Sequence, residues 1–367
     1  MMKRKIKFFD LTKQYKSISK EINSKVIKVI RQGQYILGPN VNDFEKKFSK
    51  KFSTKYAVTC NSGTDSLIFA LKAININQGD EVITTPFTYF STVESIIQCG
   101  AKPVFVDIDP LTFNINTNLI ENALTKKTKA IMPVHIFGQS SNMIHIRKIA
   151  NKYKLKVIED CAQSIGATFN KIQTGTFGDL GCFSFFPTKN LGAIGDAGIT
   201  ITSNKQYAEK LKKLRNHGGI VRNEHEMLGY NSRMDEIQAA VLSAKLKYLE
   251  IFNRKRNQIA KLYSSMIQNK LIRLPYKNKE NYHVYHQFTL CVNNRSRFIK
   301  HLTKYKVPYG IYYPKPLYKQ KALKGIGSSK KMPITENITK QCISIPIYPE
   351  LDNASIEYIS TTINKYK

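Results

Sequence analysis

Lys189 sits where an amine can be made reactive. An apolar, aromatic run, Cys182-Phe-Ser-Phe-Phe, precedes it and reads as a short buried strand. Pro187 ends that run, because proline has no N–H to give to a ladder. Gly192, Gly195 and Gly198 follow and read as a tight, close-packed loop. A lysine between a buried strand and such a loop is partly shut off from water. Desolvation lowers the pKa of the ammonium and makes the amine nucleophilic, the condition for Schiff-base chemistry. The plain alternative is a surface lysine in a turn, in a chain rich in lysine.

A carboxylate with a matching task lies upstream. Lys154-Leu-Lys-Val-Ile-Glu-Asp160 reads as a buried strand ending in Asp160, with Gln163 just beyond. Ligands of open α/β sheets bind at the carboxyl ends of strands. An aspartate there can pair with a protonated pyridine nitrogen, as pyridoxal phosphate requires. Gln163 can donate to the phenolic oxygen of the same ring. For Asp160 alone, capping a helix is the competing role. Further back, Tyr56-Ala-Val-Thr-Cys60-Asn-Ser62-Gly63-Thr64-Asp65 reads as strand, turn and helix start. Exposed backbone N–H groups and the helix dipole make such a start a phosphate site. No Gly-x-x-x-x-Gly-Lys pattern is present, so it is not a nucleoside-triphosphate loop. The next strand-like run leads into Pro86-Phe-Thr-Tyr89-Phe, whose aromatics either stack on a flat ring or fill the core.

The elements that must hold these residues alternate. Strands are predicted at residue 58 and over 82–84, 104–107, 130–134, 157–159, 182–185 and 198–202, with helical patterns between several of them. That alternation predicts a largely parallel sheet. His135, at the end of 130–134, either touches substrate or cofactor or is a hydrogen-bonded core histidine. Before the sheet, residues 7–11 read as an arm or short strand. A helix over 18–31 puts Ile18, Ile22, Val26, Val29 and Ile30 on one face. Gly33 and Leu37-Gly-Pro-Asn40 stop it. A second helix over 41–52 carries Val41, Phe44, Phe48 and Phe52. After the sheet come a basic helix over 208–215 and a polar loop. Asp235 is then expected to cap a helix running through 236–252 and beyond. The domain boundary is expected in or just after it, giving a large domain of residues 1–248 and a smaller one of 249–367.

Composition narrows the classes. A chain of 367 residues can bury a sizeable core and form two domains. The net charge of +32, from 58 Lys+Arg against 26 Asp+Glu, raises polyanion or membrane-surface binding. The lysines are scattered, with no basic tail or RNA-binding signature, so the reading is a solvated basic surface and no nucleic-acid partner. Cys60, Cys99, Cys161, Cys182, Cys291 and Cys342 include no Cys-x-x-Cys pair and read as free, buried thiols in a reducing compartment. The histidines lack metal-ligand spacing, so no metal is expected. No apolar run follows the basic residues 1–7, so no secretory signal is expected. No apolar run approaches the ~18 residues of a membrane span, and the expected address is the cytoplasm.

Five stretches, in this order, resemble the DegT/DnrJ/EryC1/StrS family of sugar aminotransferases. They are Asn61-Ser-Gly-Thr-Asp-Ser-Leu, Pro86-Phe-Thr-Tyr-Phe-Ser-Thr, Glu159-Asp-Cys-Ala-Gln, Phe185-Phe-Pro-Thr-Lys-Asn-Leu-Gly and Gly229-Tyr-Asn-Ser-Arg-Met-Asp. The resemblance runs from about Phe8 to the C-terminus. It implies an α/β fold of the aspartate aminotransferase type (fold type I): a mainly parallel seven-stranded sheet domain and a smaller C-terminal α+β domain covering the active site. It implies that Lys189 carries pyridoxal 5′-phosphate as a Schiff base, that Asp160 partners the ring nitrogen and that Gln163 contacts the phenolic oxygen. Tyr89 then stacks on one face of the ring and Ala162 lies on the other. Ser62, Gly63, Thr64 and Ser184 fall at phosphate-binding positions. Asn231 falls where family members reach the phosphate of the neighbouring subunit's cofactor, which implies a homodimer with active sites at the interface.

The implied activity moves an amino group, from L-glutamate in most of the family, onto a nucleotide-linked keto-sugar. The patterns look most like members that aminate C3 of a UDP-linked 2-acetamido-3-oxo sugar or its uronate, for surface polysaccharide of the O-antigen kind. Tyr312, Tyr313, His135 and Arg233 are then on the substrate side. Arg233 suits a carboxylate or phosphate, with an inter-subunit ion pair as its alternative. Tyr312 and Tyr318 stand where many members have histidine. A related branch that dehydrates sugars has histidine at the Lys189 position and is disfavoured here. C3 or C4 amination of a dTDP-6-deoxy-sugar stays open, as does a non-catalytic pyridoxal-phosphate-binding or nucleic-acid-binding regulator.

Overall fold

Two amphipathic helices lead into the sheet. In the computed structural model, which describes residues 6–326 and 331–367, residues 6–10 form an irregular arm and no strand. Residues 1–5, most of the lead in which no secretory signal was expected, lie outside the described residues. Asp10 caps α1 (Leu11–Gln32) by accepting from the N–H groups of Thr12 and Lys13. Ile18, Ile22 and Val29 are buried as predicted, whereas Ile30 is exposed. Gly33, at φ 67°, ends the helix in the left-handed conformation that glycine adopts without strain. α2 (Pro39–Lys51) starts on Pro39 and lays Phe44 and Phe48 edge-on against Phe185 and Phe183 of the sheet.

The chain then runs β1 (Tyr56–Cys60), α3 (Gly63–Ala73), β2 (Glu81–Thr84), α4 (Ser91–Gln98), β3 (Lys102–Phe105), β4 (Thr128–Ile131), α5 (Met143–Tyr153) and β5 (Lys156–Asp160). A small hairpin of β6 (Thr168–Phe169) and β7 (Ile172–Gln173) precedes β8 (Leu180–Ser184), β9 (Gly198–Thr202) and α6 (Lys205–Arg215). Seven strands pair in the order β1-β9-β8-β5-β4-β2-β3. The pairs β2–β3, β2–β4, β4–β5 and β5–β8 are parallel, and β9 runs antiparallel to both its neighbours. All seven predicted strands are in this sheet. Their apolar runs are almost continuous because helices cover both faces, which leaves little room for polar alternation. The parallel strands therefore end along one edge, carrying Cys60, Thr84, Asp160 and Ser184 to it.

The helix expected through 236–252 is two helices, α7 (Glu236–Leu246) and α8 (Leu249–Met266), broken at Lys247 and Tyr248. The apolar period continues across the break in Ala244, Leu249 and Phe252, so periodicity alone does not reveal it. Asp235 occupies the cap position without a side-chain hydrogen bond. Glu236 turns the other way and accepts from the N–H groups of Asn40 and Val41, tying α7 to the start of α2.

The C-terminal part adds β10 (Ile272–Arg273), β11 (Asn281–Tyr282), β12 (Phe288–Val292), α9 (Arg295–Lys304), α10 (Pro333–Gln341), β13 (Cys342–Ile345) and α11 (Asn353–Asn364). β10, β12 and β13 make an antiparallel sheet whose core includes Tyr263 of α8, Phe288, Phe298, Ile343 and Ile359. β11 joins β6 and β7 in a third sheet, so this part is stitched onto the edge of the first. All six cysteines are free and buried. Among the described residues no helix is long and apolar enough to cross a membrane.

Candidate active site

Asp160 is the last residue of β5 and is 5% exposed. It caps no helix. Its Oδ2 accepts from the Thr92 hydroxyl at 2.8 Å and its Oδ1 from the N–H of Ala162 at 3.1 Å. Burial pushes its carboxyl above the ordinary value, against the pull of those two donors and of the Lys189 charge. Lys189 lies in the turn after β8, its N–H donating to Phe186 O at 2.8 Å. Burial lowers its ammonium from 10.5 to about 8, and the charge of Asp160 opposes that shift. An amine that loses its proton near pH 8 and a buried carboxylate thus feel each other across one site.

The helix start expected to hold phosphate is packed directly on the strand before Lys189. A Cβ on Gly63 would lie 2.5 Å from Ser184 Cβ, so only glycine lets α3 approach β8 this closely. Ser62 caps α3, accepting from the N–H of Asp65 at 3.1 Å. Among the described residues, the N–H groups of Gly63 and Thr64 have no acceptor. The hydroxyls of Thr64 and Ser91 meet at 2.8 Å beside them. Ser184 Oγ accepts from the N–H of Phe186 at 3.3 Å. The loop carrying Asn231 and Arg233 is fastened to this cradle: the Ser232 hydroxyl donates to Asp65 Oδ2 at 2.7 Å and accepts from the N–H of Asn61 at 3.1 Å. Asn231 itself is exposed. Arg233 donates from Nη1 to Asn216 Oδ1 at 3.2 Å, and its buried Nε has no partner.

Aromatic residues close the other side. Tyr89 is 62% exposed, 6.4 Å ring to ring from Tyr313. Gln163 is held at both ends: its Nε2 donates to Tyr313 Oη at 3.1 Å and its Oε1 accepts from the N–H of Phe137 at 2.8 Å. Burial raises the Tyr313 phenol, so it stays neutral over any working pH. Tyr312 is half-buried between Tyr313 and Phe8. The N–H of Leu317 donates to Pro86 O at 2.9 Å, which lays this aromatic loop over the segment leading to Tyr89.

His135 does not belong to this group. It is fully buried, with Nε2 2.9 Å from Glu159 Oε2 and Nδ1 accepting from the N–H of Ser141 at 3.1 Å. Both ring nitrogens are used, so its placement on the substrate side is corrected to that of a core histidine. Glu159 also accepts from the N–H groups of Gly175, Phe177 and Gly178. His135, Glu159 and Cys161 offer metal-ligand atoms within 4.8 Å of one another, but these bonds already occupy the first two. Thr92, Ser91, Asp65 and Ser232 were missed in the sequence. Thr92 closes a quoted motif, yet nothing in the spacing links it to Asp160.

Comparison with known proteins gives a consistent picture. Residues 16–364 match the DegT/DnrJ/EryC1/StrS aminotransferase family. The chain is 39% identical to the UDP-N-acetyl-3-dehydro-alpha-D-glucosamine 3-aminotransferase of Acidithiobacillus ferrooxidans, covering 98% of this chain and 97% of the relative. It is 42% identical to the dTDP-3-amino-3,6-dideoxy-alpha-D-galactopyranose transaminase of Aneurinibacillus thermoaerophilus, over 98% and 99%. It is 40% identical to a protein of Geobacillus stearothermophilus named pleiotropic regulatory protein, over 98% of each. Among solved structures, NtdA from Bacillus subtilis with bound cofactor PMP superposes with a TM-score of 0.92 at 33% identity, over 98% of this chain and 84% of that one.

Proposed function

The chain belongs to the DegT/DnrJ/EryC1/StrS aminotransferase family, and we propose on that premise that it is a pyridoxal-phosphate-dependent aminotransferase acting on a nucleotide-linked keto-sugar. The observation that carries the reading is the electrostatic coupling of Lys189 and Asp160: a burial-weakened ammonium in the turn after β8 and a buried, twice hydrogen-bonded carboxylate at the carboxyl end of the adjacent strand β5. The donor set fits the cofactor. Lys189 supplies the amine that holds it, and Asp160 the acceptor for its ring nitrogen. The open N–H groups of Gly63 and Thr64, with the hydroxyls of Ser62, Thr64 and Ser184, suit its phosphate. Gln163 would contact its phenolic oxygen, and Tyr89 and Ala162 would hold the two faces of the ring.

Bound there, pyridoxal phosphate supplies an electron sink and a carrier for the amino group. The chain's own residues do the rest. Lys189, neutral for much of its time near pH 8, takes the proton from the amino-bearing carbon of the donor and returns one at the acceptor half of the cycle. Asp160, oriented by Thr92 and Ala162, keeps a proton on the ring nitrogen. The Tyr312–Tyr313 loop shields this proton traffic from water. Arg233, with its unpartnered Nε, recognises an anionic part of the sugar nucleotide.

The sugar we favour is a UDP-linked 2-acetamido-2-deoxy-3-oxo-sugar or its uronate, aminated at C3 for surface polysaccharide, with L-glutamate as donor; the relative from Acidithiobacillus ferrooxidans supports it. The Aneurinibacillus thermoaerophilus relative supports a dTDP-keto-6-deoxy-sugar as the second reading. A homodimer that shares its sites is supported by exposed Asn231 and the apolar Ile220, Val221 and Leu228 exposed near it, Leu228 at 95%. We place the two domains at residues 1–248 and 249–367, supported by the helix break at Lys247–Tyr248 and the separate core of the C-terminal sheet. The place of action we infer is the cytoplasm. The test is a panel of UDP- and dTDP-keto-sugars offered to the protein loaded with pyridoxamine phosphate, followed by the return of pyridoxal absorbance. A UDP-3-oxo-sugar should react at least tenfold faster than any dTDP-sugar. Inertness to the whole panel, with salt-sensitive DNA binding, would favour a regulator instead.

A further inference from the structure

The residue after the reactive lysine is locked from behind by a buried network that the sequence motifs do not mention. Asn190, 4% exposed, donates both protons of its amide: to Asn253 Oδ1 at 2.8 Å and to Val284 O at 3.0 Å. A backbone carbonyl can only accept, so Val284 O fixes which end of the amide is nitrogen. Asn253 is oriented in the same way, its own Nδ2 donating to Ile165 O at 3.0 Å. Asn190 Oδ1 is therefore an acceptor, and it lies 3.3 Å from Nδ1 of His286. An acceptor facing that nitrogen requires the imidazole proton to sit on Nδ1.

Rigid neighbours hold the histidine. The segment leading to it is pinned by Asn257 at His283 O (2.7 Å), by Arg256 at Tyr285 O (3.2 Å), and by the N–H of Val284 at Gly138 O (2.9 Å). His286 is 4% exposed. A second proton on its ring is opposed by burial and then by the charges of Lys189 and Arg256, which keep its pKa well below the ordinary value. A neutral donor is what the back of a lysine needs. A positive charge there would compete with Lys189 for the single carboxylate of Asp160.

Resting on the aminotransferase reading, we propose that His286, as the neutral Nδ1–H tautomer, is a positioning residue for Lys189, acting through Asn190. It fixes the orientation of Asn190, whose amide tethers the Lys189 turn to α8 and to the segment before β12, so that the amine keeps its place when the cofactor leaves or returns. The role belongs to Nδ1 alone. An asparagine at 286 places an amide N–H near the Nδ1 position and can replace it. A glutamine places its amide near Nε2 and cannot.

The test uses the cofactor-free full-length protein. Pyridoxal phosphate is added, the product is fixed with borohydride, and the rate of labelling of the Lys189 peptide is followed by mass across pH 6 to 10. His286→Leu should slow labelling at least tenfold and displace its pH midpoint by half a unit or more. His286→Asn should recover to within about threefold of wild type, and His286→Gln should not. Nitrogen-15 imidazole spectra of the wild type, with His286→Asn for assignment, should show a neutral Nδ1–H ring from pH 6 to 8. Wild-type labelling by His286→Leu, rescue by glutamine but not asparagine, or an Nε2–H or charged ring would each overturn the proposal. Failure of the wild type itself to label at Lys189 would instead overturn the cofactor reading.

Discussion

The hydroxyl of Thr92 donates to Oδ2 of Asp160 at 2.8 Å, across 68 positions of chain. This one bond ties the first turn of α4 to the end of β5 and fixes the rotation of the carboxylate that we assign to the ring nitrogen. Thr92→Val keeps the shape and removes the donor, leaving a buried acceptor short of a partner at about 1–3 kcal/mol. The dissociation constant for pyridoxal phosphate should rise about tenfold. Asp160→Asn, which cannot hold a proton on the ring nitrogen, should cost kcat about a hundredfold or more, the scale of a broken buried ion pair. Equilibrium dialysis and steady-state rates check both.

Lys189 makes the cofactor-free protein less stable than it could be. Its folded pKa of about 8 lies below the ordinary 10.5. Below about pH 8 folded and unfolded chains both hold the proton, and the full burial penalty is present. Between about 8 and 10.5 the folded chain has already lost it, and stability rises with pH. Lys189→Met should therefore unfold later in urea at pH 7, by about 3 kcal/mol at most, with the advantage shrinking towards pH 10.5. An advantage that does not change with pH would place the amine in water.

Gly63 is needed for closeness. An alanine there meets Ser184 Cβ at 2.5 Å and Ser184 Cα at 3.1 Å. Overpacking of this kind costs about 1–3 kcal/mol and pushes the open N–H groups of α3 away from β8. Gly63→Ala should lower the melting temperature by a few degrees and weaken cofactor retention more than tenfold. Calorimetry and cofactor washout rates measure the two effects.

His135 predicts a split between stability and binding. His135→Leu removes one donor from Glu159 and one acceptor from Ser141, at about 1–3 kcal/mol for each group left unsatisfied. The variant should melt earlier, while KM for the keto-sugar stays within about twofold. Unchanged melting with a tenfold higher KM would return His135 to the substrate side.

Shared sites can be counted by mixing dead variants. Lys189→Ala and Asn231→Ala should each be nearly inactive. Refolded together at equal amounts, they should recover about one quarter of wild-type activity, because each mixed dimer regains one complete site. Recovery no greater than the sum of the two separate variants would confine Asn231 to its own subunit's affairs.

The sheet was legible because each strand is a compact apolar run between turn signals, and the site was legible where its residues sit in contiguous motifs at strand ends. Asp160, Lys189 and the Ser62–Thr64 turn each carry their context with them. What could not be read was what distant residues do for those motifs. Thr92, Ser232 and His286 act through one or two hydrogen bonds whose partners lie far away in the chain, and no local period encodes such a pair. His135 misled for the converse reason: a strand-end position suggests the site, while its partner Glu159 is on the adjacent strand and turns it into the core. The break between α7 and α8 was hidden by an apolar period that runs on across it.

The most direct measurement of whether Lys189 and Asp160 hold opposite ends of one ring is an absorbance scan of the cofactor-free protein on adding pyridoxal phosphate. The scan should show a band near ~420 nm that L-glutamate bleaches, with a borohydride-fixed mass on the Lys189 peptide, and neither in Lys189→Ala. The same band in Lys189→Ala, or a fixed cofactor on another lysine, would contradict that role for Lys189.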